Sequence, residues 1–403
     1  MTHVRTALVI GGGIAGPVAA AALRKVGVEA TVFERADETT DNVGGIIGLA
    51  PNGMNALASV GLDEAVHKVC RPVPSMVLLS GTGKRLAEFG SAQAGPVLHA
   101  VWRKDLFLAL AGEAKARGVR VEFGKRLVGV DESADSVTAR FADGTSATAD
   151  ILIGADGIRS TVRSLIDPSA PGPRYTGLLS FGGRPTKPLR VPSTHGSLHM
   201  VYGKKAIFCY LADDDETGWF VNMPSKRAMT IAQARAVGAA EWQRRLAELF
   251  TEDRSPAVEI ISASDPDELV IVGGVDDLPH VPTWHRGRMI LIGDSAHATS
   301  PSSGQGGSMA IESGVQVARC LRDLPSVPEA FAAYERLRRP RVERVIAEGR
   351  KVDQSKSPGP VGRALRDLLL PTMMKLIAKP ERRAWQFDHR IDFAAAVSPA
   401  ELG

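Results

Sequence analysis

Three glycine-bearing stretches of this chain have residue types and spacings suited to holding a nucleotide. The first is Gly11-Gly12-Gly13-Ile14-Ala15-Gly16, a G-x-G-x-x-G pattern directly after an apolar run and before an Ala-rich one. Gly11 permits a tight turn, Gly13 lets backbone approach a pyrophosphate, and Gly16 lets a helix pack closely on a strand. The helix start at Ile14 and Ala15 offers free N–H groups and a favourable dipole to a phosphate. Glu34 ends the next strand-like run. A carboxylate there accepts adenosine ribose hydroxyls and disfavours a 2′-phosphate, so the site suits FAD or NAD over NADP.

The middle stretch, Ile151-Leu152-Ile153-Gly154-Ala155-Asp156-Gly157, reads by itself as a strand ending in an Asp-Gly turn. Asp156 falls at the strand's carboxyl end, where open α/β sheets bind ligands. Arg159 and Arg163 add positive charge suited to a phosphate-bearing ligand. The late stretch is the most specific. Met289-Ile290-Leu291-Ile292 reads as a buried strand, followed by Gly293-Asp294, Pro301, the glycines Gly304, Gly306 and Gly307, and a helix expected over 308–321. Asp294 is placed to bond the hydroxyls of a sugar or ribitol chain. The glycines let a flat ring lie against backbone, and the helix N-terminus stabilises negative charge on that ring. A capping role for Asp294 beside a flexible loop is the plainer alternative, but it leaves the long spacing unexplained.

These stretches need a sheet to hold them. Residues 6–10 predict a buried strand, 14–26 a helix closed by Gly27, and 28–34 a second strand, a βαβ opening that implies a parallel, helix-covered sheet. Pro17 is tolerated because it falls in the first helical turn. A helix over 104–117, strands over 119–123 and 137–142 and a turn at Asp143-Gly144 follow. Residues 168–192 are rich in Pro and Gly. A strand meander over 197–202, 206–211 and 218–222 comes next, with turns at Gly203-Lys204-Lys205 and Asp213-Asp214-Asp215. A helix around 240–250 and a strand over 268–272 precede the late stretch.

The expected fold class is α/β with an α+β insertion. A discontinuous nucleotide-binding domain takes 1–70, 97–175 and 276–360, and a β-sheet substrate domain takes 71–96 and 176–275. Residues 361–403 form a C-terminal helical segment, its helix over 361–378 broken at Pro371. The apolar face of that helix is expected to pack on the body, with membrane-surface binding the alternative.

Composition narrows the function. The chain has 403 residues, 44% apolar and 23% charged, and a net charge of +4 from 49 basic and 45 acidic residues. That excess is spread along the chain without a basic block, so nucleic acid is not an expected partner. No run is long and apolar enough to span a membrane and no leader precedes the first strand, so a cytoplasmic protein is expected. Cys70, Cys209 and Cys320 fall in no CxxC or metal-type spacing, and His280, His285 and His297 read as capping or surface residues, so no metal is expected. No G-x-S-x-G nucleophile elbow stands out.

In this order, the three stretches resemble those of the FAD-dependent class A aromatic monooxygenases, the para-hydroxybenzoate hydroxylase-like family. The resemblance covers nearly the whole chain and includes Trp102-Arg103-Lys104-Asp105-Leu106, similar to that family's arginine before a helix. It implies a Rossmann-like FAD-binding domain in which Gly11 and Gly13 through Gly16 meet the pyrophosphate. Glu34 then meets the ribose, Arg35 the adenine region, Arg103 the ribitol phosphate, and Asp294 the ribitol or pyrophosphate. Gly306, Gly307 and Ser308 line the flavin's pyrimidine edge, with Pro301 and Gly304 near the reactive ring. The loop Gly44-Gly45-Ile46-Ile47-Gly48 runs beside the isoalloxazine, so Ile47 and Gly48 are cofactor contacts, and Val128 is another. Asp156 belongs to the family's Asp-Gly motif, associated with both FAD and NAD(P)H.

The implied activity is a single-component monooxygenase. NADPH or NADH reduces bound FAD, O2 adds at the flavin C4a, and the hydroperoxide hydroxylates an aromatic or polyketide-like small molecule. No protein acid or base is assigned. Phe208, Tyr210 and Phe220 are the candidate substrate contacts, although neighbouring strand residues point to opposite faces. The expected state is a monomer or homodimer. Ser313 stands where relatives often carry Asp, and Gly218-Trp219-Phe220-Val221-Asn222-Met223-Pro224 lacks the second Trp of flavin halogenases, which disfavours halogenation. No thioredoxin-like extension fits in the remainder. The alternatives are a related flavoenzyme carrying out epoxidation, Baeyer–Villiger insertion or oxidation, an NAD-dependent dehydrogenase without flavin, and a non-catalytic ligand-binding protein.

Overall fold

The computed structural model describes residues 4–37, 44–90, 95–213, 217–354, 360–377, 380–398 and 401; Asp214 and Asp215 of the acidic turn lie outside them. The chain opens with β1 (Thr6–Ile10), α1 (Ala15–Lys25) and β2 (Glu29–Phe33). β3 (Ile46–Leu49), α2 (Pro51–Val60), α3 (Asp63–His67) and β4 (Arg71–Val73) follow, then a hairpin of β5 (Ser75–Ser80) and β6 (Arg85–Gly90). β7 (Leu98–Trp102) runs directly into α4 (Arg103–Ala116), and β8 (Arg120–Glu122) rejoins the first sheet. β9 (Leu127–Glu132), β10 (Val137–Phe141) and β11 (Ser146–Ala149) make a small antiparallel sheet ahead of β12 (Ile151–Gly154) and α5 (Thr161–Ile166).

The second sheet draws on β13 (Arg174–Gly183), β14 (Leu198–Tyr202), β15 (Ile207–Ala212) and β16 (Thr217–Pro224). Three helices, α6 (Ile231–Arg235), α7 (Ala239–Glu248) and α8 (Ala257–Ser262), precede β17 (Val270–Asp277). The chain then returns through β18 (His285–Arg286), β19 (Met289–Leu291) and α9 (Asp294–His297) to α10 (Gly306–Asp323). It closes with α11 (Val327–Gln354), α12 (Pro360–Ile377) and α13 (Pro380–Phe387).

The six-stranded sheet has the order β18-β19-β12-β1-β2-β8. Every pair in it is parallel except the β18–β19 edge. Its inner strands are apolar along their whole length because helices cover both faces of such a sheet. The register aligns Ile10 with Gly154 and Phe33, and Gly154 with Leu291, so four carboxyl ends share one edge. The three sequence stretches start at that edge. α1 and α10 lie against each other, and a Cβ on Gly314 would stand only 3.0 Å from the backbone N of Ala19.

The seven-stranded sheet has the order β17-β13-β16-β15-β14-β5-β6, so the early hairpin pairs with strands more than a hundred residues later. One of its faces packs on α7 and α8 through Trp242, Leu246, Ile260 and Ile261. The third sheet, β3-β7-β4, adjoins the other face, with Val73, Ala100 and Leu211 buried at the junction.

Three expectations change here. The Pro- and Gly-rich segment 168–192 contains β13, a ten-residue strand between β16 and β17. Its glycines are packing residues; a Cβ on Gly183 would stand 2.9 Å from the Trp219 ring. The strand expected over 268–272 is longer, as β17, and starts after a short 3-10 turn. Pro371 does not break the C-terminal helix, and α12 runs through it. A proline there leaves the carbonyl four residues back without its helical donor; that carbonyl, Asp367 O, accepts instead from Lys84 Nζ at 2.9 Å. The apolar face of α12 is not covered as expected, since Leu365, Leu368 and Leu369 are exposed. The helix is held by polar contacts, Arg363 Nη1 donating to Lys204 O at 2.9 Å and Arg366 stacking 4.8 Å over the Tyr202 ring. Among the described residues, no helix is long and apolar enough to cross a membrane.

Candidate active site

The cradle begins at β1. Gly11 has φ +111°, and a Cβ there would lie 2.3 Å from Ala155 O. A Cβ on Gly16 would meet Gly11 O at 1.9 Å. Both positions therefore exclude every side chain. Gly13 differs, with nothing within 4 Å of its Cβ position, which is the open approach a pyrophosphate needs. α1 begins without a side-chain cap and without an acid in its first turn, leaving its N-terminal N–H groups and dipole to an anion. The Glu34 carboxylate is held by backbone: Oε2 accepts from Gly12 N at 2.7 Å and Oε1 from Ala36 N at 2.9 Å. Arg35 is exposed beside it.

The late stretch closes on the same edge. Gly293, at φ +59°, sits where a Cβ would come 3.0 Å from Ala15 Cβ, so the start of α1 abuts the start of α9. Asp294 makes no capping bond to α9, which removes the plain alternative for it. Its residue keeps an accessible face. Loss of surrounding water nevertheless raises its pKa, with the Arg103 charge pulling the other way. A carboxylate both reachable and poorly hydrated lines the wall of a groove. Arg103 opens α4, and its N–H donates to Gly45 O at 3.1 Å. A Cβ on Gly44 would press on Arg103 Cδ at 3.3 Å, so the Gly44–Gly48 loop, with Gly48 on β3, lies against this arginine.

At the far end, Gly307 joins three parts of the chain. Its Cβ would lie 3.3 Å from Leu49 Cδ2, 3.7 Å from Ile47 Cδ1 and 3.9 Å from Ile14 Cδ1. α10 also begins without a side-chain cap or an acid in its first turn. Ser308 is buried, and its Oγ accepts from Ala50 N at 3.0 Å, so its side chain braces α2. Pro301 opens a short 3-10 turn before Gly304, whose φ is +62°. Two uncapped helix N-termini, one open glycine and an accessible Asp facing an Arg make a donor set that fits an extended dinucleotide carrying FAD's two phosphates and its ring.

Several expected residues have other tasks. Asp156 caps α5: Oδ2 accepts from Thr161 N at 2.7 Å and Val162 N at 3.1 Å, and Oδ1 from Ser160 Oγ at 2.5 Å. Arg163 is buried and donates to Ser295 O and Ile158 O, while Arg159 pairs with Asp276 at 2.7 Å. Neither guanidinium is left for a phosphate. Val128 is 54% exposed on β9, and its neighbour Leu127 is the buried one. Phe208 and Tyr210 face α7 and α8, with their rings stacked 5.4 Å apart in the core, so they do not line the flavin side. Phe220 has the opposite parity. It shares a face with Gly218, whose Cβ would meet Ile46 Cδ1 at 2.2 Å and the Trp102 ring at 3.4 Å. His297 is no surface residue; it is buried, with Nε2 hydrogen-bonded to Ser313 Oγ at 2.8 Å, and burial lowers its pKa to about 3.

A buried polar network under α10 escaped the sequence reading. Glu312 is paired with Arg338 and Arg341 and accepts from Asn52 Nδ2 at 2.6 Å. Asn52 also donates to Gln305 Oε1 at 2.9 Å, immediately before the first residue of α10. Burial works to raise the Glu312 pKa, but Arg338 and Arg341 hold it at about 2. The available signal was a lone acid in an apolar helix, which demands a partner. The structure also gathers His67, Cys70 and His99, three potential metal ligands whose chain spacing hides their proximity.

Comparison with known proteins agrees with this geometry. The sequence model for "FAD binding domain" matches residues 4–349. The FAD-dependent urate hydroxylase of Mycolicibacterium vanbaalenii is 30% identical over 367 residues, covering 87% of this chain and 89% of that one. The aurachin C monooxygenase/isomerase of Stigmatella aurantiaca is 29% identical over 360 residues, covering 87% and 89%. Among solved structures, Klebsiella pneumoniae HpxO complexed with FAD and uric acid superposes with a TM-score of 0.83 at 25% identity, covering 94% of this chain and 96% of that one.

Proposed function

The chain belongs to the FAD binding domain family as an FAD-dependent monooxygenase, and from that premise we propose that it hydroxylates a planar aromatic small molecule held between the flavin and the Phe220 face of the seven-stranded sheet. The observation that carries this reading is the parity of that face. Gly182, Phe220, Cys209, Met200 and Leu78 are successive cross-strand partners and form one mostly apolar row. Val270, paired with Gly182, extends the row to a point 3.7 Å from a Cβ built on Gly45 of the flavin-side loop. The relatives named for urate and aurachin C share a flat, conjugated substrate, which such a row suits by stacking and burial.

Bound FAD supplies the redox chemistry, taking electrons from NADPH or NADH and activating O2. The protein contributes position and environment. The α10 N-terminus, at Gly306 and Gly307, is set to stabilise negative charge on the ring's pyrimidine edge. Asp294 and Arg103 hold the chain between ring and phosphates, and the α1 N-terminus with Gly13 receives the pyrophosphate. The apolar junction of Val73, Ala100 and Leu211 keeps water from the loop side of the ring. No side chain is assigned as a catalytic acid or base. We place the enzyme in the cytoplasm, where its free thiols remain reduced, as a monomer or homodimer.

The test combines a visible spectrum of the purified protein with a screen of aromatic compounds for stimulated NAD(P)H oxidation and product mass. Flavin absorbance and a product heavier by one oxygen are expected. A one-oxygen product from ring expansion or an alkene would move the activity to Baeyer–Villiger or epoxidation chemistry, and absence of bound flavin would overturn the proposal.

A further inference from the structure

α3 ends at His67, and a tight turn then carries the chain to Cys70 just before β4. The turn is fixed by backbone bonds from Val69 N and Cys70 N to Val66 O, at 3.1 and 3.0 Å. This brings the His67 and Cys70 side chains near each other. His99 arrives from β7, where it is paired with Pro72 on one side and Leu49 on the other. One ligating atom from each of the three residues lies within 4.8 Å of the others. The His67 and His99 rings meet edge to face with centroids 5.2 Å apart.

His99 is the telling member. It is only 8% exposed, and its Nδ1 has no hydrogen-bond partner. A buried imidazole nitrogen left without a partner is costly, and a metal ion is one of the few groups that satisfies it. Cys70 is the one thiol of the three that reaches solvent, and His67 is exposed and free to swing inward.

We propose that His67, Cys70 and His99 form a binding site for a zinc-class divalent cation, with the fourth position left to a solvent ligand. Two imidazoles and a thiolate select a borderline-soft transition metal over magnesium or calcium. Metal–ligand bonds of about 2.0–2.3 Å put tetrahedral ligand atoms roughly 3.3–3.7 Å apart. The cluster therefore closes around an ion by a movement of about 1 Å, which the exposed His67 side chain supplies. The bound ion ties the end of α3 to the middle of the β3-β7-β4 sheet. This proposal does not depend on which aromatic compound the enzyme oxidises.

The test uses the full-length, FAD-loaded protein after removal of metals by chelator and dialysis. Titration with Co2+ is expected to give one equivalent bound, with thiolate-to-cobalt absorption and d–d bands at longer wavelength than oxidised flavin absorbs. Zn2+ should displace the cobalt and protect Cys70 from alkylation, read by mass spectrometry. Cys70→Ser should abolish the thiolate band, and His67→Ala should weaken binding at least about tenfold. FAD content and melting temperature of the metal-free variants serve as the folding control. Equal Co2+ affinity in the wild type, Cys70→Ser and His67→Ala proteins would overturn the proposal, as would unprotected alkylation of Cys70 in the presence of Zn2+.

Discussion

Glu312 and Arg338 face each other across α10 and α11 with 0% and 2% of their side chains exposed, and Arg341 closes on the same carboxylate at 2.8 Å. Through Asn52 and Gln305 this ion cluster reaches the first turn of α10, the turn that meets the flavin. A buried pair adds little net stability, yet breaking it leaves an uncompensated charge at a cost of about 3–5 kcal/mol. Glu312→Gln should therefore lower the melting temperature by many degrees and loosen FAD. Thermal denaturation and FAD retention on desalting check both effects; an unchanged FAD affinity in a folded variant would separate the cluster from the flavin loop.

Acid should destabilise the fold well above the carboxylate range. Burial lowers His297 to about 3 and His389 to about 4, from an ordinary value of 6.5. Between those values and 6.5 the unfolded chain binds more protons than the native one, so stability is complete above pH 6.5 and falls as pH drops below it. Each histidine contributes a slope of up to about 1.4 kcal/mol per pH unit. Urea unfolding midpoints across that range should fall with acidification, and His297→Asn should flatten the curve.

Asp294→Ala should release FAD without unfolding the chain. The carboxylate makes no capping bond, so its loss removes a ligand contact and not a helix stop. A fall in FAD affinity of roughly tenfold or more corresponds to about 1.4 kcal/mol for a hydrogen bond to a charged group. Equilibrium dialysis against FAD, with circular dichroism as the folding control, measures it.

Phe208 and Phe220 should behave differently although both lie on the same sheet. Phe208→Ala empties a fully buried core position and should cost about 3–5 kcal/mol in stability. Phe220→Ala should instead raise KM for the aromatic substrate while leaving the melting point within a few degrees. The two variants compared in kinetics and thermal melts decide the matter, and a KM effect confined to Phe208→Ala would reverse the assignment of faces.

What was legible in the sequence was local. Gly11, Gly13 and Gly16 announce themselves because the backbone admits nothing else at two of them and needs emptiness at the third. Glu34 and Asp294 are marked by their place at strand ends. Strand parity was not legible: Phe208 and Phe220 differ only in which face they occupy, and that is set by Gly218 lying against Ile46, a contact across 172 residues. Asp156 looked like a ligand group because an acid after a strand serves equally as a cap, and only Thr161 N and Val162 N decide which. The partners of Glu312 come from another helix, and the His67, Cys70 and His99 cluster from a strand and a turn that sequence spacing keeps apart.

The pairing of β5 with β14 carries a consequence for how the chain is born. Met76 lies beside Leu198, so the β5–β6 hairpin leaves the ribosome more than a hundred residues before its neighbour exists. At synthesis rates of about 5–20 residues per second, its open edge waits on the order of 6–24 seconds. During that interval the nascent chain presents an apolar strand edge that another copy could capture. The seven-stranded sheet is therefore the part of this enzyme for which a holding chaperone matters most.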